Sequence, residues 1–168
     1  MKKLIGKTWK FGDNVNTDII IPYKFKSRTN DPYEVAKYCM YGFDPEFPNK
    51  ISKGDFIVAG KNFGTGSSRE QAPIAIKYCG IAGVIADSFA RIFYRNSFAV
   101  GLPVIEIDNI NELVESGDII EFDLNSWSIK LRKNDTTLKG KPIEKFMADL
   151  VKSGGIVDYY LANKHFPW

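Results

Sequence analysis

The stretch DFIVAGKNFGTGSSREQAPIAIKYCGIAGVIADSFARIFYRNSFAVGLPVIEI, residues 55–107, decides the fold class of this chain. It alternates short apolar runs, which predict buried strands, with segments that predict helices. The strands are expected at residues 56–59, 83–86 and 103–107, and the helices near residues 73–78 and 88–100. This order is typical of βαβ units in a sheet that is covered on both faces, so the chain is predicted to be an α/β protein.

The segments on either side of this stretch carry other patterns. Upstream, residues 7–11 predict a further strand. Downstream, residues 119–124 and 127–132 predict an antiparallel hairpin, and residues 142–151 predict an amphipathic helix. Because no repeat, low-complexity tract or linker interrupts the chain, we expect one domain over residues 1–168.

Composition and charge exclude several classes of protein. The chain has 168 residues, of which 44% are hydrophobic and 26% are charged, enough to bury one core. A net charge of +3 with scattered lysines argues against nucleic-acid binding, and no apolar run approaches the ~20 residues of a membrane span. With only Cys39 and Cys79 and no apolar signal segment, the chain is predicted to be cytoplasmic with free thiols. Two cysteines are too few to hold an iron–sulfur cluster.

The candidate functional segment is the serine loop, residues 64–70, with the sequence GTGSSRE. Gly64 and Gly66 allow positive φ and a close approach of the backbone, and two serines follow directly before a predicted helix. A loop of this kind is suited to binding an anion. The structural alternative is that Ser67 and Glu70, at capping-box spacing, only satisfy the helix terminus.

Pro73 separates these two interpretations. Proline is tolerated in the first turn of a helix, where its missing N–H has no helical partner, so the N-cap is predicted at about Glu70 or later. Ser67 and Ser68 would then precede the helix, at the positive end of its dipole. The helix dipole and Arg69 would stabilise a carboxylate or a developing alkoxide at this position. An ordinary turn remains the alternative.

Two nucleotide-binding patterns do not fit the serine loop. A Walker loop needs a lysine after its glycines, whereas Lys61 precedes Gly64. A dinucleotide fingerprint needs a third glycine at the position of Arg69. A nucleotide-binding domain is therefore a weak alternative. A stand-alone, non-catalytic anion-binding module is a second alternative, but the intact Ser67-Ser68-Arg69 core favours catalysis.

Two motifs carry a resemblance to a known family: residues 62–70, NFGTGSSRE, and residues 87–96, DSFARIFYRN. They closely resemble motifs of the swivel domain of the aconitase superfamily. The length of the chain and its residues 9–18 make it similar to the small subunits of 3-isopropylmalate dehydratase and homoaconitase, which are separate chains. The similarity extends over nearly the whole chain and implies a single α/β swivel domain of three layers, β/β/α.

The resemblance implies a hydro-lyase that moves a hydroxyl group between adjacent carbons of a malate-like acid by dehydration and rehydration. In this family a [4Fe–4S] cluster acts as a Lewis acid on the substrate. The chain lacks the cluster cysteines, and its one histidine, His165, lies in the C-terminal tail. The resemblance therefore implies a large subunit that carries the cluster, in a heterodimer or heterotetramer.

Among possible substrates, the resemblance favours isopropylmalate and thus leucine biosynthesis. Homoaconitate and 2,3-dimethylmalate are the alternatives. In this family the loop at residues 23–29 contacts the variable end of the substrate, and this loop is basic here. Arg28 could pair with a distal carboxylate of homoaconitate, whereas an isopropyl group would favour an apolar lining such as Phe25. The alternative for Arg28 is a solvated loop charge.

Matched by position to the family, Ser67 is the catalytic base, acting as an alkoxide, and Ser68 and Arg69 bind the substrate carboxylate. A serine hydroxyl is a poor base at neutral pH, so this role requires strong local stabilisation of negative charge. No residue of this chain is expected to bind a metal.

Two further arginines are candidates for a supporting role. Arg91 and Arg95 are four residues apart on a predicted helix, so they share one face, with Ser88 as the expected N-cap. They are expected to order the active-site loop or to meet the partner. A solvated helix face is the alternative.

Overall fold

A computed structural model describes residues 3–66 and 68–168, and for Lys26 the backbone only. The strands are β1 Lys3–Lys10, β2 Phe56–Ala59, β3 Gly83–Ala86, β4 Val104–Glu106, β5 Ile119–Asp123, β6 Ser128–Leu131 and β7 Thr136–Lys139. The helices of the described residues are α1 Thr17–Ile20, α2 Tyr23–Lys26, α3 Pro32–Ala36, α4 Phe47–Lys50, α5 Gln71–Tyr78, α6 Arg91–Val100, α7 Ile110–Leu113, α8 Lys145–Ser153 and α9 Ile156–Asn163. None of these helices is long and apolar enough to cross a membrane.

The parallel half of the sheet consists of β1 to β4. The strand order of the whole sheet is β4-β3-β2-β1-β5-β6-β7, and α5 and α6 connect β2 with β3 and β3 with β4. Every residue of β2 and β3 is buried, so this part of the sheet is covered on both faces. The predicted α/β class with βαβ units is confirmed, and both strands have the bounds that their apolar runs predicted.

The antiparallel half, β5 to β7, joins the sheet at β1 and curls over the parallel half. The ring centroids of Phe122 in β5 and Phe56 in β2 are 6.4 Å apart, and Trp127 meets Phe122 edge-on at 5.2 Å. A Cβ atom at Gly140 would lie 2.3 Å from the side chain of Ile105 in β4. The two halves therefore share one core. The predicted C-terminal hairpin is the β5–β6 pair, which β7 extends.

Helices α3 and α5 each have a proline in the first turn, and α5 begins where the sequence predicts. Pro32 lies in the first turn of α3, and Asp31 caps that helix by accepting a hydrogen bond from the backbone N–H of Tyr33 at 2.9 Å. Pro73 is the third residue of α5, which follows its N-cap residue Glu70. Both prolines stand where the missing N–H removes no helical hydrogen bond.

The predicted N-cap of the next helix at Ser88 is wrong. α6 begins three residues later, after Ala90, whose backbone is extended with φ −63° and ψ 138°. The Ser88 hydroxyl instead accepts a hydrogen bond from the backbone N–H of Asn62 at 2.9 Å. Residues 88–90 pair with the neighbouring loop at Phe63, and this pairing keeps them extended.

Several elements lie where the sequence predicted no regular structure, among them α2, β7 and α9. The basic loop at residues 23–29 begins with the short helix α2. Most residues of β7 are exposed, and α9 has no buried residue. Such elements lack the alternation of apolar and polar residues from which buried strands and helices are predicted.

Candidate active site

The loops that follow β1, β2 and β3 meet at the carboxyl edge of the parallel half. The backbone N–H of Gly64, in the loop after β2, donates to the carbonyl of Val15 in the loop after β1, at 2.7 Å. On its other side, the N–H of Phe63 donates to the carbonyl of Ser88 at 3.0 Å. This edge is where open α/β sheets place their ligand sites.

Polar side chains hold the start of the β2 loop against the loop after β1. The carboxylate of Asp13 accepts a hydrogen bond from the backbone N–H of Lys61 at 2.7 Å, and Asn62 Nδ2 donates to Asn14 Oδ1 at 3.1 Å. A Cβ atom at Gly60 would lie 1.9 Å from the Asp13 carboxylate, so this position excludes a larger residue. Backbone and side-chain contacts together fix the base of the serine loop.

Gly64 and Gly66 have the positive φ that the sequence predicts, +86° and +106°. Gly64 also lacks space for a side chain, because a Cβ atom there would lie 2.2 Å from Cγ of Phe93 in α6. A Cβ atom at Gly66 would lie 3.2 Å from the hydroxyl oxygen of Thr17 in α1. The two glycines let the serine loop run close to both helices.

Of the two serines, Ser67 lies outside the described residues, whereas Ser68 is exposed. The carbonyl of Ser68 accepts a hydrogen bond from Nδ2 of Asn96 in α6, at 3.0 Å. Sequence reasoning did not single out Asn96, although it is the last residue of the second motif. The contact spans 28 residues, so only the folded chain reveals it.

Helix α5 begins directly after the serine loop. Its N-cap residue, Glu70, makes no capping hydrogen bond to residues that the structure describes. The amino end of a helix carries partial positive charge from its unpaired N–H groups. Ser68 and Arg69 precede this end and are both exposed, so the arrangement suits an anion.

Arg69 connects the serine loop with the basic loop at residues 23–29. Its Cζ atom lies 4.6 Å from the centroid of the Tyr23 ring, which is a cation–π distance. Tyr23 is the first residue of α2 and is 59% exposed. The structure thus brings together two segments that the sequence analysis identified separately.

Phe25 and Arg28 differ in burial. Phe25 is 6% exposed, and its ring stacks on that of Tyr38 at 3.9 Å and meets Tyr41 edge-on at 4.7 Å. It fills the core and does not form an apolar lining at the surface. Arg28 is exposed, with its Cζ atom 5.7 Å from the centroid of the Phe25 ring. Substrate binding by Arg28 stays a prediction.

Arg91 and Arg95 are exposed in α6, whereas Phe93, Ser97 and Phe98 are its buried residues. The two arginines therefore lie on the surface, next to the residues that anchor the helix. Their predicted supporting role stays a prediction.

Most of the described residues of the serine loop are exposed. Gly66, Ser68, Arg69 and Glu70 are all exposed. Sites for small molecules bury most of the ligand surface in a concave pocket. An exposed loop of this kind can form one wall of such a site, which a second surface would complete.

The two cysteines do not form part of this wall. Cys39 is buried, which raises the pKa of its thiol, and Cys79 follows α5 at the end opposite to the serine loop. Over residues 3–66 and 68–168, no group of three or more His, Cys, Asp or Glu side chains is placed to hold a metal ion. The two cysteines of the sequence are too few to hold an iron–sulfur cluster.

Comparisons with known proteins agree with this architecture. The family of the aconitase C-terminal domain matches residues 26–110. The 3-isopropylmalate dehydratase small subunit of Halothermothrix orenii is 49% identical over 93% of this chain and 94% of its own. That of Nautilia profundicola is 51% identical over 95% of each chain. The isopropylmalate/citramalate isomerase small subunit of Methanocaldococcus jannaschii is 49% identical, also over 95% of each.

A solved structure has the same fold. The crystal structure of 3-isopropylmalate dehydratase from Methanocaldococcus jannaschii matches with a TM-score of 0.89 at 48% identity, over 97% of this chain and 96% of that one. The fold and the open serine loop thus define an aconitase-type swivel domain, as the resemblance implied. Within that class, the chain belongs to the family of 3-isopropylmalate dehydratase small subunits.

Proposed function

We propose that this chain is the small subunit of a 3-isopropylmalate dehydratase, a hydro-lyase. The enzyme interconverts 2-isopropylmalate and 3-isopropylmalate by dehydration and rehydration in leucine biosynthesis. One observation carries the proposal: Ser68 and Arg69 stand exposed before the amino end of α5, at the carboxyl edge of the sheet, in a member of this family. Such a site favours a ligand with a carboxylate group.

Three residues of the serine loop have direct roles in this proposal. Ser67 is the base, and Ser68 and Arg69 bind a substrate carboxylate. The base takes a proton from the carbon next to the one that carries the hydroxyl group. Negative charge on a serine oxygen needs strong stabilisation, which Arg69 and the positive end of α5 supply from this chain.

The site requires a partner. The relatives are named small subunits, which implies a large-subunit partner. We place the [4Fe–4S] cluster on that large subunit, because the two cysteines here are too few to hold it. When bound, the cluster supplies a Lewis acid. Residues 1–168 act as one domain that covers the substrate from one side, in a cytoplasmic heterodimer or heterotetramer.

Homoaconitate is the second candidate substrate. Arg28 is exposed in the loop that begins with Tyr23, the residue in contact with Arg69. A guanidinium in this loop could pair with a distal carboxylate, which isopropylmalate lacks.

The test is anaerobic co-expression with the large subunit, iron–sulfur reconstitution, and rate measurements with isopropylmalate, homocitrate, 2,3-dimethylmalate and citramalate. The highest kcat/KM is expected for isopropylmalate. A higher value for homocitrate would support the second candidate. Failure of the complex to hydrate any enoic diacid would contradict the hydro-lyase proposal and favour an anion-binding module.

A further inference from the structure

We propose that Tyr23 is a positioning residue, whose ring holds the guanidinium of Arg69 in place for the substrate carboxylate. The proposal rests on the proposed function of Arg69. It starts from the distance of 4.6 Å between Cζ of Arg69 and the centroid of the Tyr23 ring. At this distance the face of the ring attracts a cation.

The contact with Tyr23 acts on a side chain at the surface. Arg69 and its neighbours Ser68 and Glu70 are exposed, directly before the first turn of α5. An arginine side chain loses rotamer freedom when it binds a carboxylate, and this loss weakens binding. A ring that already holds the guanidinium removes part of the loss before the substrate arrives.

The Tyr23 ring projects from an anchored turn. Ile21 is fully buried just before it, and Pro22 restricts the backbone between them. Phe25, two residues later, is buried and stacks on Tyr38 at 3.9 Å. The Tyr23 side chain itself is exposed, so its replacement removes the contact with Arg69 without opening the core.

The backbone beside Arg69 is held from a different element. The carbonyl of Ser68 accepts a hydrogen bond from Asn96 of α6, whereas Tyr23 belongs to α2. Arg69 is therefore held through its backbone by one helix and through its side chain by another.

The kinetic experiment uses the small subunit reconstituted with the large subunit. Tyr23→Leu is expected to raise KM for isopropylmalate by about two- to thirtyfold, the range of a cation–π contact from an exposed to a desolvated setting. The kcat is expected to change by a smaller factor than KM, because the positive end of α5 still stabilises negative charge on Ser67 when Arg69 is less well placed. Tyr23→Phe keeps the ring and is expected to restore most of the affinity.

Tyr33→Leu is the matched control. Tyr33 is 67% exposed, and its ring meets Tyr78 instead of Arg69. Its replacement removes an exposed tyrosine of similar size and is expected to leave KM unchanged. In an Arg69→Lys background, Tyr23→Leu is expected to raise KM by a smaller factor than in the wild type, because the two residues act together.

The second experiment is independent of activity. In the isolated full-length chain, the ring current of Tyr23 is expected to shift the side-chain NMR signals of Arg69 upfield. Tyr23→Leu should return them to ordinary values, and Tyr33→Leu should not. Unchanged Arg69 signals in Tyr23→Leu would overturn the proposal.

The two readouts separate two kinds of failure. An active wild-type complex in which Tyr23→Leu keeps the wild-type KM contradicts the positioning role alone. A wild-type complex without activity contradicts the proposed function, and the positioning role falls with it.

Discussion

The two halves of the sheet differ in where their polar residues lie. In the parallel half, β2 and β3 are buried throughout, and polar side chains gather in the loops at the carboxyl edge. In the antiparallel half, β5 alternates along its length, and Glu121 pairs with Lys3 at 2.7 Å and with Arg132 at 2.8 Å. The buried strands β2 and β3 can therefore carry chemistry only at their carboxyl edge, whereas the polar residues of the antiparallel half lie on its outer face.

Because of this difference, we expect substitutions in the two halves to affect different properties, activity in one and stability in the other. We expect substitutions at the carboxyl edge of the parallel half to lower the activity of the complex. Substitutions in the antiparallel half should lower the free energy of unfolding and leave the activity of the folded protein unchanged.

The largest effect is expected for Ser67→Ala at the parallel edge. Removal of a general base lowers turnover by about 10²–10⁴-fold, and substrate binding should be largely kept. The measurement is kcat and KM of the reconstituted complex. Ser126→Ala replaces an exposed serine of the antiparallel half and serves as the control. A Ser67→Ala enzyme within a few-fold of wild type would rule out the assigned base.

In the antiparallel half, Phe122→Ala is expected to lower the free energy of unfolding by about 3–5 kcal/mol, because the ring is fully buried between the two halves. Denaturant titration measures this change. Phe43→Ala removes a ring that is 67% exposed, and it should cost about 1 kcal/mol or less. Equal losses of free energy of unfolding in the two variants would contradict the position of Phe122 in the core that the two halves share.

A pair of glycine variants tests two positions, one in each region, where the backbone has a positive φ. Gly64→Ala combines a positive φ with a clash against Phe93, so it should lower the free energy of unfolding by about 2–4 kcal/mol. Gly117, just before β5, has φ +94° with open space around it, so Gly117→Ala should cost only about 1–2 kcal/mol. Thermal unfolding of both variants measures the two changes in stability. A larger cost at Gly117 would contradict the close packing of the serine loop.

The smallest effect is expected from pH. A hydrogen bond from the backbone N–H of Glu115 and an ion pair with Lys133 lower the pKa of Asp118. Because the folded-state pKa is depressed, the stabilisation is present above the unfolded value of about 3.9 and is lost as pH falls through the folded-state pKa. Asp118→Asn should flatten the pH dependence of the free energy of unfolding below pH ~4, by less than about 1 kcal/mol, which thermal unfolding at a series of pH values measures.

Lys133→Met provides the comparison for this variant. It removes the ion pair with Asp118 at 2.7 Å and keeps the backbone hydrogen bond at 2.9 Å. The flattening should therefore be smaller than in Asp118→Asn. Identical pH profiles for Asp118→Asn and the wild type would exclude Asp118 as a source of the acid dependence.

Much of the parallel half could be predicted from the sequence. The runs at residues 56–59 and 83–86 are apolar throughout, and their short length and β-branched residues favour strands covered on both faces. Pro73 predicted the start of α5, since the ring forbids a helical position with a required N–H. The glycine positions in the serine loop were predicted for the same kind of local reason.

The antiparallel half and the helices near the site were less predictable. Strand β7 and helix α9 are mostly exposed, so their residues lack a periodic apolar pattern. The N-cap at Ser88 was predicted from local preference, but its hydroxyl accepts a hydrogen bond from Asn62. A partner 26 residues away outweighs a local preference that contributes about 1 kcal/mol.

The sequence by itself determined the α/β class, the βαβ units and the serine loop, because these depend on apolar runs, glycine φ and proline position. Only the tertiary structure decided that Arg69 meets Tyr23, that Asn96 binds the Ser68 carbonyl, and that Phe25 belongs to the core. These contacts join residues that are distant in the chain, and their energies depend on how the elements pack rather than on any local pattern.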